Sequence, residues 1–127
     1  MIAVDTSALM AIILDEPEAD AIMAVLEAED ELLISSGTVA EALIVAARRN
    51  VGEEMARLID GLGFEVVTVP LASARRIAQA YDSWGKGMHP AALNFGDCFA
   101  YAVANERGCR LLHIGEDFSR TDIAGVL

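Results

Sequence analysis

The sequence predicts one three-layer α/β/α domain, in which helices cover both faces of a central parallel sheet of four to five strands. Short apolar runs alternate along the chain with longer segments of helical periodicity. The runs are continuously apolar, as is typical of parallel strands buried on both faces. The connections between them are long enough to hold crossover helices. All 127 residues are expected to form a single domain, because no linker or internal repeat interrupts the pattern.

Each element is placed by its apolar spacing and its boundary residues. The predicted strands are 2–4, 32–35, 64–69 and 110–114, with a helical turn and a marginal fifth strand in the tail from Phe118. The predicted helices are 7–14, one that begins at Pro17, 38–49, 53–62, 71–84 and 94–107. The inner face of helix 71–84 is predicted to be Ala74, Ile77, Ala78 and Tyr81, and that of helix 94–107 to be Phe95, Phe99, Ala102 and Val103. The loop 85–90 is predicted to be the most mobile stretch.

Composition narrows the class of protein. A hydrophobic content of 54% excludes intrinsic disorder despite a net charge of −11. The acidic balance disfavours broad attraction to nucleic acid and is compatible with a metal site or a basic protein partner. The longest apolar run, 8–14, is far shorter than the ~20 residues of a membrane span. Without a signal peptide, a CxxC pair or a zinc spacing, Cys98 and Cys109 are expected to be reduced thiols of a cytoplasmic protein.

Four acids fall near one edge of the predicted sheet. Asp5 follows the first strand, Glu41 lies early in the helix after the second, Asp97 lies in the first turn of helix 94–107, and Asp117 follows the fourth strand. The carboxyl ends of parallel strands and the amino ends of the following helices meet at one edge, where open α/β sheets bind ligands. We therefore expect the four carboxylates to lie near one another.

Each acid also has a purely structural interpretation. Asp5 could cap its helix, with Thr6 and Ser7 serving the cap or a ligand. Capping boxes are predicted at Thr38-x-x-Glu41 and, with Asn94, at Asn94-x-x-Asp97. Asp117 could be an ordinary turn residue.

Together, four converging carboxylates favour a cation between them, because they would otherwise repel one another. Mg²⁺ and Mn²⁺ prefer oxygen ligands and retain water, so an all-carboxylate cluster suits them. Such ions activate water and stabilise the leaving oxygen of a phosphate ester. The acid cluster therefore favours metal-assisted phosphoester hydrolysis. Motifs for other chemistry are missing, since no P-loop, GxGxxG or GxSxG motif is present.

The same segments resemble a known family, the PIN domain, and within it the VapC toxins of bacterial toxin–antitoxin pairs. The resemblance covers essentially the whole chain, and the segments that carry it are 4–9 (VDTSAL), 40–41 (AE), 93–102 (LNFGDCFAYA), 115–118 (GEDF) and 121–123 (TDI).

The resemblance implies a Mg²⁺- or Mn²⁺-dependent endoribonuclease that acts on structured RNA, often tRNA or ribosomal RNA. It implies that Asp5 and Asp97 are the core metal ligands and that Glu41 completes the site. Asp117 matches the fourth acid, with Glu116 beside it as the alternative. It further implies a homodimer, and a small antitoxin whose tail enters and blocks the acidic groove.

One departure from the family concerns the grip on RNA. Relatives often have a basic residue where this chain has Met88, just ahead of the His-Pro step. The candidate phosphate contacts are Arg48, Arg49, Lys86 and His89, although the arginines also suit an ordinary solvated surface.

Two other functions compete with the nuclease. A receiver-like phosphoacceptor or aspartyl phosphatase also gathers acids at strand ends, but Lys86, the only lysine, lies in a loop, and Asp5-Thr6-Ser7 lacks the second acid of an Asp-x-Asp motif. A catalytically silent interaction module would keep the fold without the activity, although all four acids are present.

Overall fold

The computed structural model describes residues 1–127 and contains the predicted three layers. The strands are β1 (Ile2–Val4), β2 (Leu32–Ser35), β3 (Glu65–Val67) and β4 (Arg110–Leu112). They form one parallel sheet in the order β3-β2-β1-β4. The tail adds a single parallel bridge between Leu111 and Gly125, at the outer side of β4. The marginal fifth strand is therefore one bridge long.

Six helices surround this sheet. They are α1 (Thr6–Ile13), α2 (Ala19–Ala28), α3 (Ser36–Arg48), α4 (Gly52–Leu62), α5 (Leu71–Trp84) and α6 (Phe95–Arg107), and a short 3₁₀ helix spans Phe118–Arg120. Ile2 and Val4 pack with α1 to α4 on one face, while Ala3 packs with α5 and α6 on the other. Alternate strand residues thus supply two separate cores, as the period of a strand requires. No helix is both long and apolar enough to cross a membrane.

The order of the strands creates a topological switch beside β1. The chain leaves β1 through α1 and α2 on one face to reach β2, and it reaches β4 from β3 through α5 and α6 on the opposite face. In open α/β sheets the crevice at such a switch is the usual binding site for a ligand. The residues that follow β1 and β4 are Asp5 and His113 to Asp117.

Two helix starts were predicted a few residues late. Helix α1 begins at Thr6 because the Asp5 side chain accepts a hydrogen bond from the Ser7 backbone and caps it. Helix α3 begins at Ser36, with Ser35 as its cap. The predicted capping box of Thr38 with Glu41 is therefore wrong. Thr38 is fully buried in the first turn of α3, and Glu41 lies inside the helix.

The predicted inner faces of α5 and α6 also need correction. In α5 the buried residues are Ile77 and Ala80, whereas Ala74, Ala78 and Tyr81 are exposed. Alanines lie on several faces of this helix, so the sequence gave little information about which face is buried. In α6 the buried set is Cys98 and the run from Ala100 to Ala104, and Phe95 is 70% exposed.

Two further expectations concern edges and loops. Strand β3 is shorter than the predicted 64–69, and Glu65 and Val66 are exposed because β3 is an edge strand. The loop 85–90 is tied at its base by a hydrogen bond from the Lys86 backbone N–H to the Leu93 carbonyl. Both cysteines are free thiols, as predicted, with Cys98 buried and Cys109 half-buried.

Candidate acidic site at the carboxyl edge of the sheet

Asp5 is the most buried acid of the site, with 3% of its surface exposed. Its Oδ2 atom accepts hydrogen bonds from the Ser7 backbone N–H at 3.0 Å and from Ser7 Oγ at 2.7 Å. Its Oδ1 atom is buried and has no hydrogen-bond partner. Burial raises the pKa of Asp5 to about 7, and the charges of Asp97 and Glu41 add to the effect, while the bonds from Ser7 oppose it. One oxygen of Asp5 therefore serves as the predicted helix cap, and the other remains free for a ligand.

Ser7 joins the ends of two neighbouring strands. Its Oγ donates to Asp5 and accepts a hydrogen bond of 3.0 Å from the backbone N–H of Ile114, just after β4. The hydroxyl thus fixes the rotamer of Asp5 relative to the loop that carries Asp117. This is a positioning role for one of the predicted supporting residues.

Glu41 reaches the site from α3, and its orientation is set by two neighbours. The buried Thr6 hydroxyl donates a 2.6 Å hydrogen bond to Glu41 Oε1. On its other side the carboxylate lies against Gly96 of α6, where a Cβ atom would overlap Oε2 and Cδ. Because Ser35 caps α3, Glu41 is not part of a capping box, and the structural interpretation predicted for it is wrong.

The structural interpretation of Asp97 is confirmed. The capping box is formed: Asn94 Oδ1 accepts from the Asp97 backbone at 2.8 Å, and Asp97 Oδ2 accepts from the Asn94 backbone at 3.0 Å. Burial raises the pKa of Asp97 to about 6, with added repulsion from Glu41 and Asp117 and an opposing bond from Asn94. As in Asp5, the cap occupies one carboxylate oxygen and leaves the second one available.

Asp117 and Glu116, the two alternatives for the fourth acid, have different surroundings. Asp117 is exposed and contributes repulsion that helps to raise the pKa of Asp97. Glu116 points to Arg120 instead, with an Oε2 to guanidinium distance of 3.5 Å. The loop after β4 therefore turns these adjacent acids in different directions.

Asp97 lies within electrostatic range of the other three acids, but the four do not form a coordination shell. Their mutual repulsion contributes to the raised pKa values of Asp5 and Asp97. No three His, Cys, Asp or Glu side chains are close enough together to hold a metal ion in this arrangement. Ser7, Thr6 and the Asn94 backbone each donate a hydrogen bond to one of these carboxylates.

The donor set nevertheless fits a hard divalent cation. The cluster consists of carboxylate oxygens, and Oδ1 of Asp5 is a buried polar atom without a partner. Buried polar atoms are nearly always paired, so an unpaired carboxylate oxygen at a binding edge points to a ligand.

The predicted phosphate contacts are scattered. Arg48 and Arg49 are exposed at the carboxyl end of α3, roughly 10 Å along the helix axis from Glu41. Lys86 is exposed in the loop before α6. His89 is half-buried, with its Nδ1 accepting from the Ala91 backbone and its ring packed edge-on against Trp84 at 4.7 Å. His89 therefore has a structural function in that loop.

Three residues beside the acids were not predicted from the sequence. Gly96 allows Glu41 to approach α6, and Gly37 similarly allows the ring of Phe99 to pack on α3, where a Cβ atom would overlap it. Phe95 was predicted to be internal and is exposed instead. Close helix contacts of this kind leave no periodic signal, although two glycines in otherwise good helical sequences could have indicated them.

The fold and the site together define a class: a parallel α/β domain whose carboxylates gather where the sheet changes its winding direction. A sequence profile of the PIN domain matches residues 2–124. The chain belongs to the PIN domain family, which makes a receiver or an aspartyl phosphatase the wrong class.

Individual relatives match over nearly their full length. A VapC ribonuclease of Mycobacterium bovis is 41% identical over 126 residues, which covers 97% of this chain and 96% of the relative. The ribonuclease VapC of Mycolicibacterium smegmatis is 39% identical over 129 residues, covering 97% and 98%.

Solved structures share the fold at lower identity. A sarcin-ricin loop cleaving VapC toxin of Mycobacterium tuberculosis superposes with a TM-score of 0.81 at 17% identity, covering 99% of this chain and 98% of that one. A DNA-bound VapBC complex of Salmonella typhimurium gives a TM-score of 0.72 at 19% identity, with coverage of 99% and 96%. The three-layer arrangement around a parallel sheet is thus that of VapC structures.

Proposed function

We propose that this protein is an endoribonuclease of the VapC type, which hydrolyses RNA phosphodiester bonds with Mg²⁺ or Mn²⁺ at Asp5, Asp97, Glu41 and Asp117. The proposal combines the identity of about two in five residues with VapC ribonucleases and the acidic edge described above. The observation that carries it is the unpaired Oδ1 atom of buried Asp5, a residue whose pKa is raised by the nearby charges of Asp97 and Glu41 in addition to burial.

The metal would be held by Asp5 and Asp97, with Glu41 and Asp117 completing the set directly or through water. When bound, a divalent ion supplies a Lewis acid that stabilises the pentacoordinate phosphorus and lowers the pKa of an attacking water. Both core carboxylates have an oxygen left over after capping their helices, so the fold can supply ligands without losing either cap.

The remaining residues of the site orient the acids. Ser7 fixes Asp5 against the loop after β4, and Thr6 together with Gly96 sets the direction of Glu41. Asn94 fixes Asp97 at the first turn of α6. With a pKa of about 7 for Asp5 and about 6 for Asp97, Asp5 holds a proton part of the time at neutral pH without a cation, and both acids are protonated at more acidic pH. Cation binding therefore has to displace protons.

The partners follow from the same relatives. Several structures with this fold are toxin–antitoxin complexes, among them one from Klebsiella pneumoniae. We extend this to the present chain as a cognate antitoxin that blocks the acidic edge and a homodimeric toxin that acts in the cytoplasm. The net charge of −11 supports a basic segment in such an antitoxin.

The experiment is cleavage of a total-RNA pool by the purified protein, with Mg²⁺, with Mn²⁺ and with EDTA. Asp5→Asn and Asp97→Asn keep the size of each side chain and a capping oxygen but remove the charge. Asp60→Asn is the matched control, because Asp60 is exposed near the carboxyl end of α4 and lies outside the acidic edge.

Cuts at discrete positions that need the metal, vanish in both site variants and persist in Asp60→Asn would support the proposal. Folded protein without antitoxin that cleaves nothing under any metal would instead favour a catalytically silent interaction module. Cleavage that survives EDTA would rule out the metal mechanism while leaving a nuclease.

A further inference from the structure

An apolar groove lies between α3 and α6, directly beside the acidic edge. Its walls are formed by Ala40, Ile44, Val45, Phe95 and Phe99, and the Glu41 carboxylate lines it as well. Its volume is about 330 Å³, at the small end of the range for ligand pockets. We call it the α3–α6 groove.

Phe95 is the most exposed large apolar side chain of the protein, with 70% of its surface open to solvent. Its ring meets that of Phe99 edge to face, with centroids 4.9 Å apart and planes at 85°. The contact fixes the orientation of the Phe95 ring, while Ile44, which is 60% exposed, contributes to the groove walls. The free face of the Phe95 ring is open to stacking with another ring, and we call it the Phe95 platform.

The groove and the acids share residues. Glu41 belongs to both, because its carboxylate lines the groove, lies against Gly96 and acts on the charge of Asp97. The groove therefore lies within reach of a nucleotide next to a phosphate held by these acids. This continuity favours the substrate over an unrelated ligand as its occupant.

Electrostatics also indicates that binding needs an apolar contribution. The chain carries a net charge of −11, and Arg48 and Arg49 lie at the far end of α3 from Ser36. Arg120, which lies near Asp117, is already paired with Glu116 and with the Pro90 carbonyl. Neutralisation of phosphates by basic side chains is the usual source of affinity for nucleic acid, and few such side chains are free at this edge. Stacking of a base on an aromatic ring does not depend on charge of the protein surface.

We infer that the α3–α6 groove binds one unpaired nucleobase next to the scissile phosphate, stacked on Phe95. The inference rests on the proposed nuclease function and deepens it, because a base can enter the groove only when it is neither paired nor stacked in a helix. Cleavage sites are therefore expected in loops, bulges or single strands. Efficient cleavage should also require that the nucleotide on one side of the cut carries its base.

The test combines a protein variant with an altered RNA. Phe95→Leu keeps an apolar side chain but removes the ring, Phe95→Trp restores an aromatic face, and Tyr81→Leu removes an exposed aromatic from α5 as the matched control. The RNA is a short single-stranded oligonucleotide that spans a mapped cut, either intact or with an abasic nucleotide on one side of the cut.

Phe95→Leu is expected to raise KM by roughly 5- to 150-fold, which is the equivalent of about 1–3 kcal/mol of stacking on one base. With the wild-type protein, the abasic RNA should raise KM by a similar factor. With Phe95→Leu the abasic RNA should raise KM no further, because both changes remove the same contact. Phe95→Trp should restore KM, and Tyr81→Leu should not change it. Independent, multiplying losses would overturn the inference.

Two other occupants would give different results. If Phe95→Leu converts a dimer to a monomer in sedimentation, the ring belongs to an interface between copies of this chain, and the inference fails. If the wild-type protein cleaves no RNA, the proposed function fails. Stacking on Phe95 can then still be tested separately, by fluorescence. A short single-stranded RNA that contains 2-aminopurine should then be quenched by wild type and not by Phe95→Leu, and equal signals would reject the platform.

Discussion

Gly96 in the first turn of α6 lies directly against the carboxylate of Glu41 on α3. The missing side chain of Gly96 is the space that the carboxylate occupies, since a Cβ atom there would overlap Glu41 Oε2. The direction of one acid of the site therefore depends on the size of a residue on a different helix. Gly96 has no left-handed backbone angle, so its absence of a side chain, rather than its flexibility, is what the site uses.

Gly96→Ala should lower cleavage by roughly 10- to 100-fold, as is typical when the support of a metal ligand is disturbed. The added methyl group displaces the Glu41 carboxylate from its bond with Thr6. The overlap with Glu41 should also lower the free energy of unfolding of Gly96→Ala. In a Glu41→Ala background this loss should disappear, which a double-mutant cycle of unfolding free energies will measure. Gly61→Ala is the control, because a Cβ atom at Gly61 meets nothing.

Thr6→Val should reduce both cleavage and the affinity for Mn²⁺, while Thr6→Ser should preserve them. Valine keeps the shape of threonine but cannot donate the 2.6 Å hydrogen bond to Glu41 Oε1. Titration of Mn²⁺ together with initial cleavage rates will separate the two effects. Wild-type behaviour of Thr6→Val would mean that Gly96 alone is sufficient to direct Glu41.

The affinity for Mg²⁺ or Mn²⁺ should rise as pH increases from about 5 to 8. Burial raises the pKa of Asp5 to about 7 and that of Asp97 to about 6, so both carboxyl groups must lose protons before they can serve as ligands. Calorimetry in buffers of different ionisation enthalpy should detect the release of protons when the metal binds. The number of protons released should be largest near pH 5. An affinity that is constant across this range would contradict the assignment of these ligands.

Asp5→Asn should stabilise the metal-free protein, and more so at pH 8 than at pH 5. Between the ordinary pKa of 3.8 and the folded value of about 7, the folded state binds a proton that the unfolded chain has lost. Stability therefore falls with rising pH by at most about 1.4 kcal/mol per pH unit in that interval and is level above it. Asparagine has no such dependence and can still accept from the Ser7 backbone.

Urea unfolding of wild type and Asp5→Asn in EDTA at both pH values will measure the difference. Asp60→Asn makes the same change of charge at an exposed acid. Its effect on the free energy of unfolding should be the same at both pH values. A variant that is destabilised throughout would indicate that the cap, and not the charge, dominates at Asp5.

Tyr101→Phe should lower the free energy of unfolding by roughly 1–3 kcal/mol. The Tyr101 hydroxyl accepts a 3.1 Å bond from Trp84 Nε1 and donates a 2.6 Å bond to Asp122 Oδ1, which links α5, α6 and the tail. Tyr81→Phe is the control, because Tyr81 is partly exposed and makes no such bond. Equal stability of the two variants would show that the link is not a significant source of stability.

The sequence alone was sufficient for the elements whose signal is local. The buried run at Ile2 to Val4, the capping residues Asp5 and Asn94, and the alternation of strands with helices are all decided within a few residues. Those features placed Asp5, Asp97 and Asp117 at strand or helix ends and therefore predicted that they would share one edge of the sheet. The class of fold followed from the same local periodicity.

What only the tertiary structure decided was the relation between helices that are distant in the chain. The rotation of α5, the exposure of Phe95 and the choice of Ser35 as the cap of α3 depend on packing against partners that periodicity does not reveal. The same holds for Gly96 and Glu41, which lie 55 positions apart in the sequence and touch because α3 and α6 approach closely. Local residues determine where a helix begins, whereas the direction of its side chains toward another helix is fixed only when both are packed on the sheet.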